Sequence, residues 1–334
     1  MRALILPILL SLAMTASIHA KEKPGAFALV IHGGAGVIRR ADIPKENIAK
    51  IHTDLGRALD AGEAVLKRGG TALDAVTAAV VVLEDSPFFN AGKGAVYNSE
   101  GGHELDASIM EGHTLRAGAV AGVSTIRNPV RLAREVMEHS PHVMLAGSGA
   151  EAFADTRKSI VRVPNEYFDT THRLQQLREA QAEEKNPTAK AGAGTYFGTV
   201  GAVALDQHGH IAAATSTGGM TNKRWSRIGD APIIGAGNYA TDSCGVSGTG
   251  WGEFYIRAAV AHDICARMAY RGDTLAKAAE DVINGVVPKL GGDGGAIALD
   301  RHGNIALPFN TGGMYRGWIK PDGSRGTAIF RDDK

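Results

Sequence analysis

One stretch of this chain is written twice. Gly201-Ala202-Val203-Ala204-Leu205-Asp206-Gln207-His208-Gly209-His210-Ile211 returns as Gly295-Ala296-Ile297-Ala298-Leu299-Asp300-Arg301-His302-Gly303-Asn304-Ile305. The register carries on into Thr217-Gly218-Gly219-Met220 and Thr311-Gly312-Gly313-Met314. Each copy is an apolar run, a polar turn containing Gly, and a second run, which predicts two similar β-hairpins. Such strands need covering layers. Upstream, residues 54–67 carry Leu55, Ala58, Leu59, Gly62 and Leu66 at helical spacing, and residues 72–83 form an apolar helix opened by Thr71 or Asp74. The chain is therefore mixed α/β. With 334 residues, 44% of them hydrophobic, it can bury one large core or two small ones.

The first copy begins abruptly. Residues 180–198 are Gly/Ala-rich and charged without apolar periodicity, so they read as an exposed, mobile connection open to cleavage. At Gly198-Thr199 that character gives way to the strand-like Thr199-Val200-Gly201-Ala202-Val203-Ala204-Leu205. A threonine at this boundary becomes a nucleophile if the chain is cut before it. The cut frees an α-amine, whose pKa of about 7.7–8 suits a general base near neutral pH, so one residue supplies both hydroxyl and base. Folding back about residues 207–209 sets Thr199 opposite Ser216 or Thr217. On the dipeptide alone, the plainer reading is that Gly-Thr starts a strand; the surroundings reverse it.

Residues 27–31 read as a buried strand ending in a tight turn, His32-Gly33-Gly34-Ala35-Gly36, whose glycines permit close backbone approach. The spacing is not that of a nucleotide loop, and no Walker lysine follows. Ser86-Pro87-Phe88-Phe89-Asn90-Ala91-Gly92-Lys93-Gly94 is a turn-rich loop whose carbonyls suit a hard cation. Residues 103–106 and 119–123 read as strands, and 129–138 as a helix with Pro near its start. Neither His103-Glu104 nor His208-Gly209-His210 has partners at ligand spacing, so no transition metal is expected. Between the repeats lie Arg227-Ile228-Gly229-Asp230 and Thr249-Gly250-Trp251-Gly252-Glu253, then one long apolar helix over 254–269. Peptide N–H groups near that helix start suit a developing oxyanion. Arg227 offers a fork for a carboxylate and Asp230 an acceptor for an ammonium. They would otherwise be a surface ion pair; together they suit an amino-acid head group.

Lys and Arg number 36 against 35 Asp and Glu, and no basic run is interleaved with aromatics. This disfavours nucleic acid and anionic membranes as partners and favours a small substrate. Met1-Arg2, an apolar core over 3–10 and small residues to Ala20 have the form of an export signal, too short to span a membrane and cleaved after Ala20. Cys244 and Cys265 are the only cysteines; export would permit a bridge between them, but two separate thiols, with Cys265 packed in a helix, are the favoured reading.

Gly198-Thr199-Val200-Gly201-Ala202-Val203-Ala204-Leu205-Asp206, Ala214-Thr215-Ser216-Thr217-Gly218-Gly219-Met220-Thr221-Asn222-Lys223, Arg227-Ile228-Gly229-Asp230 and Gly248-Thr249-Gly250-Trp251-Gly252-Glu253 resemble the plant-type L-asparaginase/isoaspartyl peptidase family. The resemblance runs over residues 27–318 and includes His32-Gly33-Gly34-Ala35-Gly36, Asn90-Ala91-Gly92 and Leu105-Asp106-Ala107. It implies an N-terminal-nucleophile hydrolase, a four-layer αββα sandwich made as a precursor that cuts itself before Thr199. Residues 21–198 and 199–334 would be the two fragments of one shared domain, and two such pairs would form a dimer. By motif position Thr199 is the nucleophile, Thr217 its orienting partner, and Thr249 with Gly250 the oxyanion hole. Arg227 takes the α-carboxylate; Asp230 and Gly252 take the α-ammonium. Asn90 lies in a sodium-holding loop with carbonyls from Leu83, Glu84, Ser86, Phe89, Ala91 and Lys93; no cofactor is required for chemistry.

Three departures stand out: Ser226 where members often have Gly, bulk at Trp225 and Trp251 near the pocket, and Gly198 where many have Asp. The implied reaction is hydrolysis of β-aspartyl amides. A glycosylasparaginase is the nearest alternative, disfavoured by Thr249-Gly250-Trp251-Gly252-Glu253 where that subfamily carries Gly-Asn-Gly-Asp. A non-catalytic Gly-rich nucleotide-binding protein is an alternative of another class, without a phosphate loop to support it.

Overall fold

The two repeats place one hairpin in each of two sheets. The computed structural model describes residues 25–185 and 198–333; the expected export signal and residues 186–197 of the expected connection lie outside them. In chain order the strands are β1 (Ala28–Gly36), β2 (Leu105–Glu111), β3 (Ala117–Val123), β4 (Met144–Ala146), β5 (Val200–Leu205), β6 (Ile211–Thr217), β7 (Asn238–Ala240), β8 (Cys244–Gly250), β9 (Gly294–Asp300), β10 (Ile305–Ala306), β11 (Gly313–Ile319) and β12 (Arg325–Phe330). One sheet runs β12-β11-β1-β5-β6-β2-β3-β4 and the other β10-β9-β8-β7. The repeated aspartate ties both hairpin turns alike. Asp206 Oδ1 accepts from the main-chain N–H of His208 and His210 at 2.9 and 3.0 Å, and Asp300 Oδ1 from His302 and Asn304 at 2.9 and 3.0 Å.

Side chains alternate across a strand, and that alternation sorts them into three apolar layers. Leu29 and Ile31 of β1, with Ala202 and Ala204 of β5, face helices α1 (Lys45–Lys67) and α2 (Ala72–Glu84) through Leu55, Leu59, Val76 and Val80. The same layer takes in Val130 and Val136 of α3 (Pro129–His139) and Ala150 and Ala154 of α4 (Gly147–Asp155). Ala28, Val30, Val203, Leu205 and Ile211 face inward, where they meet Ile297 and Leu299 of the second sheet. The outer face of that sheet, with Val246, Ala296 and Ala298, packs on helices after β8 through Val260, Ile264 and Val282. The result is α on β on β on α. The sheets approach closely at Gly245, where a Cβ would stand 2.6 Å from both Val203 Cγ1 and Ile211 Cγ2.

Four local expectations change. His32-Gly33-Gly34-Ala35-Gly36 is not a turn at a strand end; it stays within β1, whose register against β11 shifts between His32 and Gly34. β5 pairs with β1 only as far as His32, and pairing with β11 alone carries the strand on through the glycines to Gly36. The connection is shorter than its composition suggests, because α5 (Thr171–Glu184), capped by the Thr170 hydroxyl at Arg173 N, takes in its first residues. The single helix over 254–269 is two, α6 (Gly252–Ala258) and α7 (Val260–Arg271), broken at Ala259 with φ 46°. And Cys244 and Cys265 are not separate thiols but a disulfide, with Cα atoms 5.6 Å apart. Cys244 faces out of β8 and Cys265 faces in from α7, a meeting of strand and helix that spacing alone does not reveal.

The bridge closes a loop with sequence separation 21. Replacing both cysteines by Ala should lower stability by about 3 kcal/mol, read as a fall in melting temperature relative to the oxidised protein; an unchanged melting temperature would contradict a stabilising bridge.

Candidate active site

Thr199 lies one residue before β5, 5% exposed, at the point where the first sheet meets the α2–β2 loop. The β5–β6 register pairs Val200 with Ser216, which brings Thr199 to Thr217, as the hairpin geometry requires. Thr199 Oγ1 donates to Thr217 Oγ1 at 3.2 Å, and Gly219 N donates to the same oxygen at 3.0 Å. Thr217 Oγ1 in turn donates to the Gly198 carbonyl at 3.0 Å. That carbonyl also accepts from Asn90 Nδ2 at 2.8 Å. The peptide before Thr199 therefore has its oxygen held by two side-chain donors, with the Thr199 hydroxyl alongside. Such an arrangement can polarise a carbonyl and stabilise an oxyanion on it.

The glycine strand β1 brings the second sheet to this bond. A Cβ on Gly34 would stand 2.9 Å from Gly198 Cα and 3.2 Å from Thr199 N, so only glycine lets β1 lie against the Gly198–Thr199 peptide. The next residue, Ala35, donates its N–H to Thr249 Oγ1 at 3.0 Å. With that oxygen accepting, the Thr249 hydroxyl hydrogen is left to donate elsewhere. Gly250 follows at the end of β8, where a Cβ would meet Asp293 O at 2.4 Å. Beneath Thr199 the sheets share a polar chain: His32 Nε2 meets Ser247 Oγ at 2.9 Å, which meets Thr215 Oγ1 at 2.7 Å. Burial holds the His32 imidazole neutral, with its pKa lowered to about 3.

Arg227, Asp230 and Gly252 converge beside β8. A Cβ on Gly252 would lie 2.8 Å from Arg227 Nη2 and 2.9 Å from Asp230 Oδ1. Asp230 is buried, its Oδ2 has no hydrogen-bond partner, and desolvation pushes its pKa up to about 6. A buried carboxylate oxygen without a donor suits an incoming ammonium. Arg227 is not paired with Asp230. Its Nε and Nη2 form a two-pronged contact with Glu253 at 2.9 and 2.7 Å, which shows that the fork accepts a carboxylate. Trp225, expected with Trp251 to add bulk near this pocket, and Ser226 adopt left-handed φ values of 53° and 51°. Trp225 is 94% exposed, and Ser226 Oγ donates to Glu104 Oε1 at 2.8 Å. Trp251 packs edge-on against Phe254.

A hydroxyl at a strand mouth, a doubly held carbonyl, and an arginine fork and a buried aspartate meeting at Gly252 narrow the comparison with known proteins. The family described as Asparaginase matches residues 25–329. The chain belongs to this family. It is 51% identical to a protein from Escherichia coli K12 named isoaspartyl peptidase, over 92% of this chain and 97% of that protein. It is 41% identical to a human isoaspartyl peptidase/L-asparaginase, over 91% of this chain and 96% of that one. A protein from Arabidopsis thaliana named probable isoaspartyl peptidase/L-asparaginase 2 is 40% identical, over 92% of this chain and 99% of its own length.

The candidate site also holds groups that sequence reasoning missed. Asn90 stands out as the donor to Gly198 O, whereas its motif suggested only a place in a cation loop. Glu84 is buried against Ser216, on the other face of β6 from Thr217: its Oε1 accepts from Ser216 Oγ at 2.6 Å and Val130 N at 3.0 Å, and desolvation raises its pKa to about 7. Asp106 is buried too, with one oxygen on Gly122 N and the other unpartnered. No spacing signal marks such buried acids. The loop expected to hold a cation is crowded with carbonyls. A Cβ on Gly92 would stand 2.3 Å from Glu84 O, and one on Gly94 2.2 Å from Phe89 O. This donor set suits a hard cation. Among the described residues no group of three or more His, Cys, Asp or Glu is placed to hold a metal ion.

Asp230 yields a pH prediction. Its folded pKa of about 6 lies above the ordinary 3.8, so the folded state retains a proton that the unfolded state loses between these values. Stability is therefore lost as pH rises through that window. Asp230→Asn should be more stable than the parent at pH 7.5, on the order of 2 kcal/mol, and the gap should close below pH 4. A variant less stable at neutral pH would contradict an uncompensated carboxylate.

Proposed function

We propose that this asparaginase-family chain is a self-processing hydrolase of β-aspartyl amide bonds that releases L-aspartate from isoaspartyl dipeptides and L-asparagine. The observation that carries the reading is the Gly198 carbonyl held by Asn90 and Thr217 beside the Thr199 hydroxyl. In the uncut chain Thr199 Oγ1 attacks that carbonyl carbon, and the oxyanion stays on the two donors. The Oγ1 proton passes to the Thr199 nitrogen as the C–N bond breaks; water then cleaves the resulting ester and returns a proton to Oγ1, so Gly198 leaves with a carboxylate and Thr199 has a free amine.

Turnover then uses the same hydroxyl. The new amine takes the Oγ1 proton as Oγ1 attacks the β-carbonyl of substrate. Thr249 Oγ1 and the Gly250 N–H stabilise the oxyanion, the amine hands its proton to the leaving nitrogen, and water frees aspartate from the ester. Arg227 grips the α-carboxylate after exchanging Glu253 for it; Asp230, with the Gly252 main chain, takes the α-ammonium. A sodium ion on the main-chain carbonyls of Leu83, Glu84, Ser86, Phe89, Ala91 and Lys93 would stiffen the loop that carries Asn90 and take no part in the chemistry. Residues 1–20 would export the chain, and two processed pairs would assemble as a dimer. The comparisons support the reaction class, since relatives named for isoaspartyl peptidase and asparaginase activity match most of the chain.

Purified protein assayed for aspartate release from β-Asp-Leu and asparagine tests the activity, and absence of release from both would overturn it. Thr199→Ala should remain one chain on a denaturing gel and be inactive, whereas Thr199→Ser should keep part of both functions. Asn90→Ala should slow cutting on the order of 10²-fold, as loss of an oxyanion donor does. Arg227→Lys should still be cut, because Gly198 presents no free carboxylate, yet lose roughly tenfold or more in kcat/KM because an ammonium cannot make the two-pronged contact. Full activity in that variant would remove Arg227 from the head-group pocket.

A further inference from the structure

We infer that the cavity beside the Gly198–Thr199 bond receives the residue that leaves, and that Arg173 recognises the α-carboxylate of that residue. This rests on the reading above, in which the Thr199 amine hands a proton to the departing nitrogen. That step places the leaving group on the amine side of Thr199. There Gly34 lies against Thr199 N and Gly198, and Gly34, Asn90 and Gly198 line a cavity of about 450 Å³. Arg173 and Tyr315 form part of its wall.

Arg173 is an unusual wall residue. It is 8% exposed, on the first turn of α5. Its Nε donates to Gly94 O at 2.8 Å and its Nη1 to Gln176 Oε1 at 2.8 Å, both neutral acceptors. Among the described residues no carboxylate pairs with it, and burial lowers its pKa to about 10. The other charged or titratable side chains on the wall, Arg39, Asp42, His172 and Glu179, are exposed, where water and salt screen them. A guanidinium removed from water without a counter-charge is costly, and a ligand carboxylate would compensate it.

The two substrate types differ in just this group. The leaving residue of a β-aspartyl dipeptide carries its carboxylate on the carbon next to the departing nitrogen. Asparagine releases ammonia, which has none. A cation in the leaving-side cavity therefore favours isoaspartyl dipeptides over asparagine without touching the aspartyl half, which Arg227 and Asp230 hold in both.

The test compares β-Asp-Leu with β-Asp-leucinamide, whose carboxylate is capped, on the processed protein. The free acid should have the higher kcat/KM by roughly tenfold or more, the scale of a hydrogen bond to a charged group. In Arg173→Gln the ratio of the two should fall toward one, which separates the contact from any intrinsic difference in leaving ability. Equal turnover of the two compounds by the parent protein would overturn the role of Arg173 alone, and that comparison stands even if the variant does not fold. No turnover of either would overturn the hydrolase reading and this inference with it.

Discussion

Asn90 uses every polar atom of its side chain to hold the centre of the molecule. Its Nδ2 donates to Gly198 O and to Gly219 O at 2.7 Å, and its Oδ1 accepts from Val96 N at 2.9 Å. One buried amide thus binds the residue before the nucleophile, the turn after Thr217 and the loop of its own. Gly218 N closes the same contact from the other side, donating to Asn90 O at 3.2 Å. With the site buried, each of these bonds is made in a low-dielectric setting and is expensive to leave unmade. The position of Thr199 against Thr217 follows from that clamp and from the β5–β6 register together.

Around the clamp, the fold keeps groups that a merely stable protein would not. Asp230 and Asp106 each have a buried oxygen without a donor, Arg173 lacks a carboxylate partner among the described residues, and Trp225 and Ser226 hold consecutive left-handed backbones. Buried, uncompensated charge and unfavourable dihedrals concentrate where a ligand can relieve them. Arg227, by contrast, has its charge met by Glu253, whose carboxylate covers the fork while remaining half-exposed. The opposed signs at Arg227 and Asp230 are the charge pattern of an amino acid.

Much of this was legible in the residues. The repeat announced two hairpins, and the Asp206 and Asp300 turns confirm them down to the same bonds. The apolar runs marked α2 and α3 within a residue or so, and hairpin geometry put Ser216 or Thr217 opposite Thr199, of which the structure places Thr217 on its hydroxyl. What escaped were contacts between segments far apart in sequence. The glycines of β1 looked like a turn because their reason for being small is the Gly198–Thr199 peptide packed on them, which no local pattern contains. Ala259 breaks a helix that its apolar spacing would continue. Cys244 and Cys265 meet only once β8 and α7 are stacked. Arg227 had an evident partner in Asp230 three residues on, yet it pairs with Glu253, reached through the β8–α6 turn.

The account stands or falls on Thr199 carrying both the hydroxyl and the base. The most direct measurement is mass spectrometry of protein quenched in acid during turnover of β-Asp-Leu. The account predicts a fragment that begins at Thr199 and carries an aspartyl group on that residue. An intact chain that turns over substrate, or an aspartyl adduct on any other residue, would contradict it.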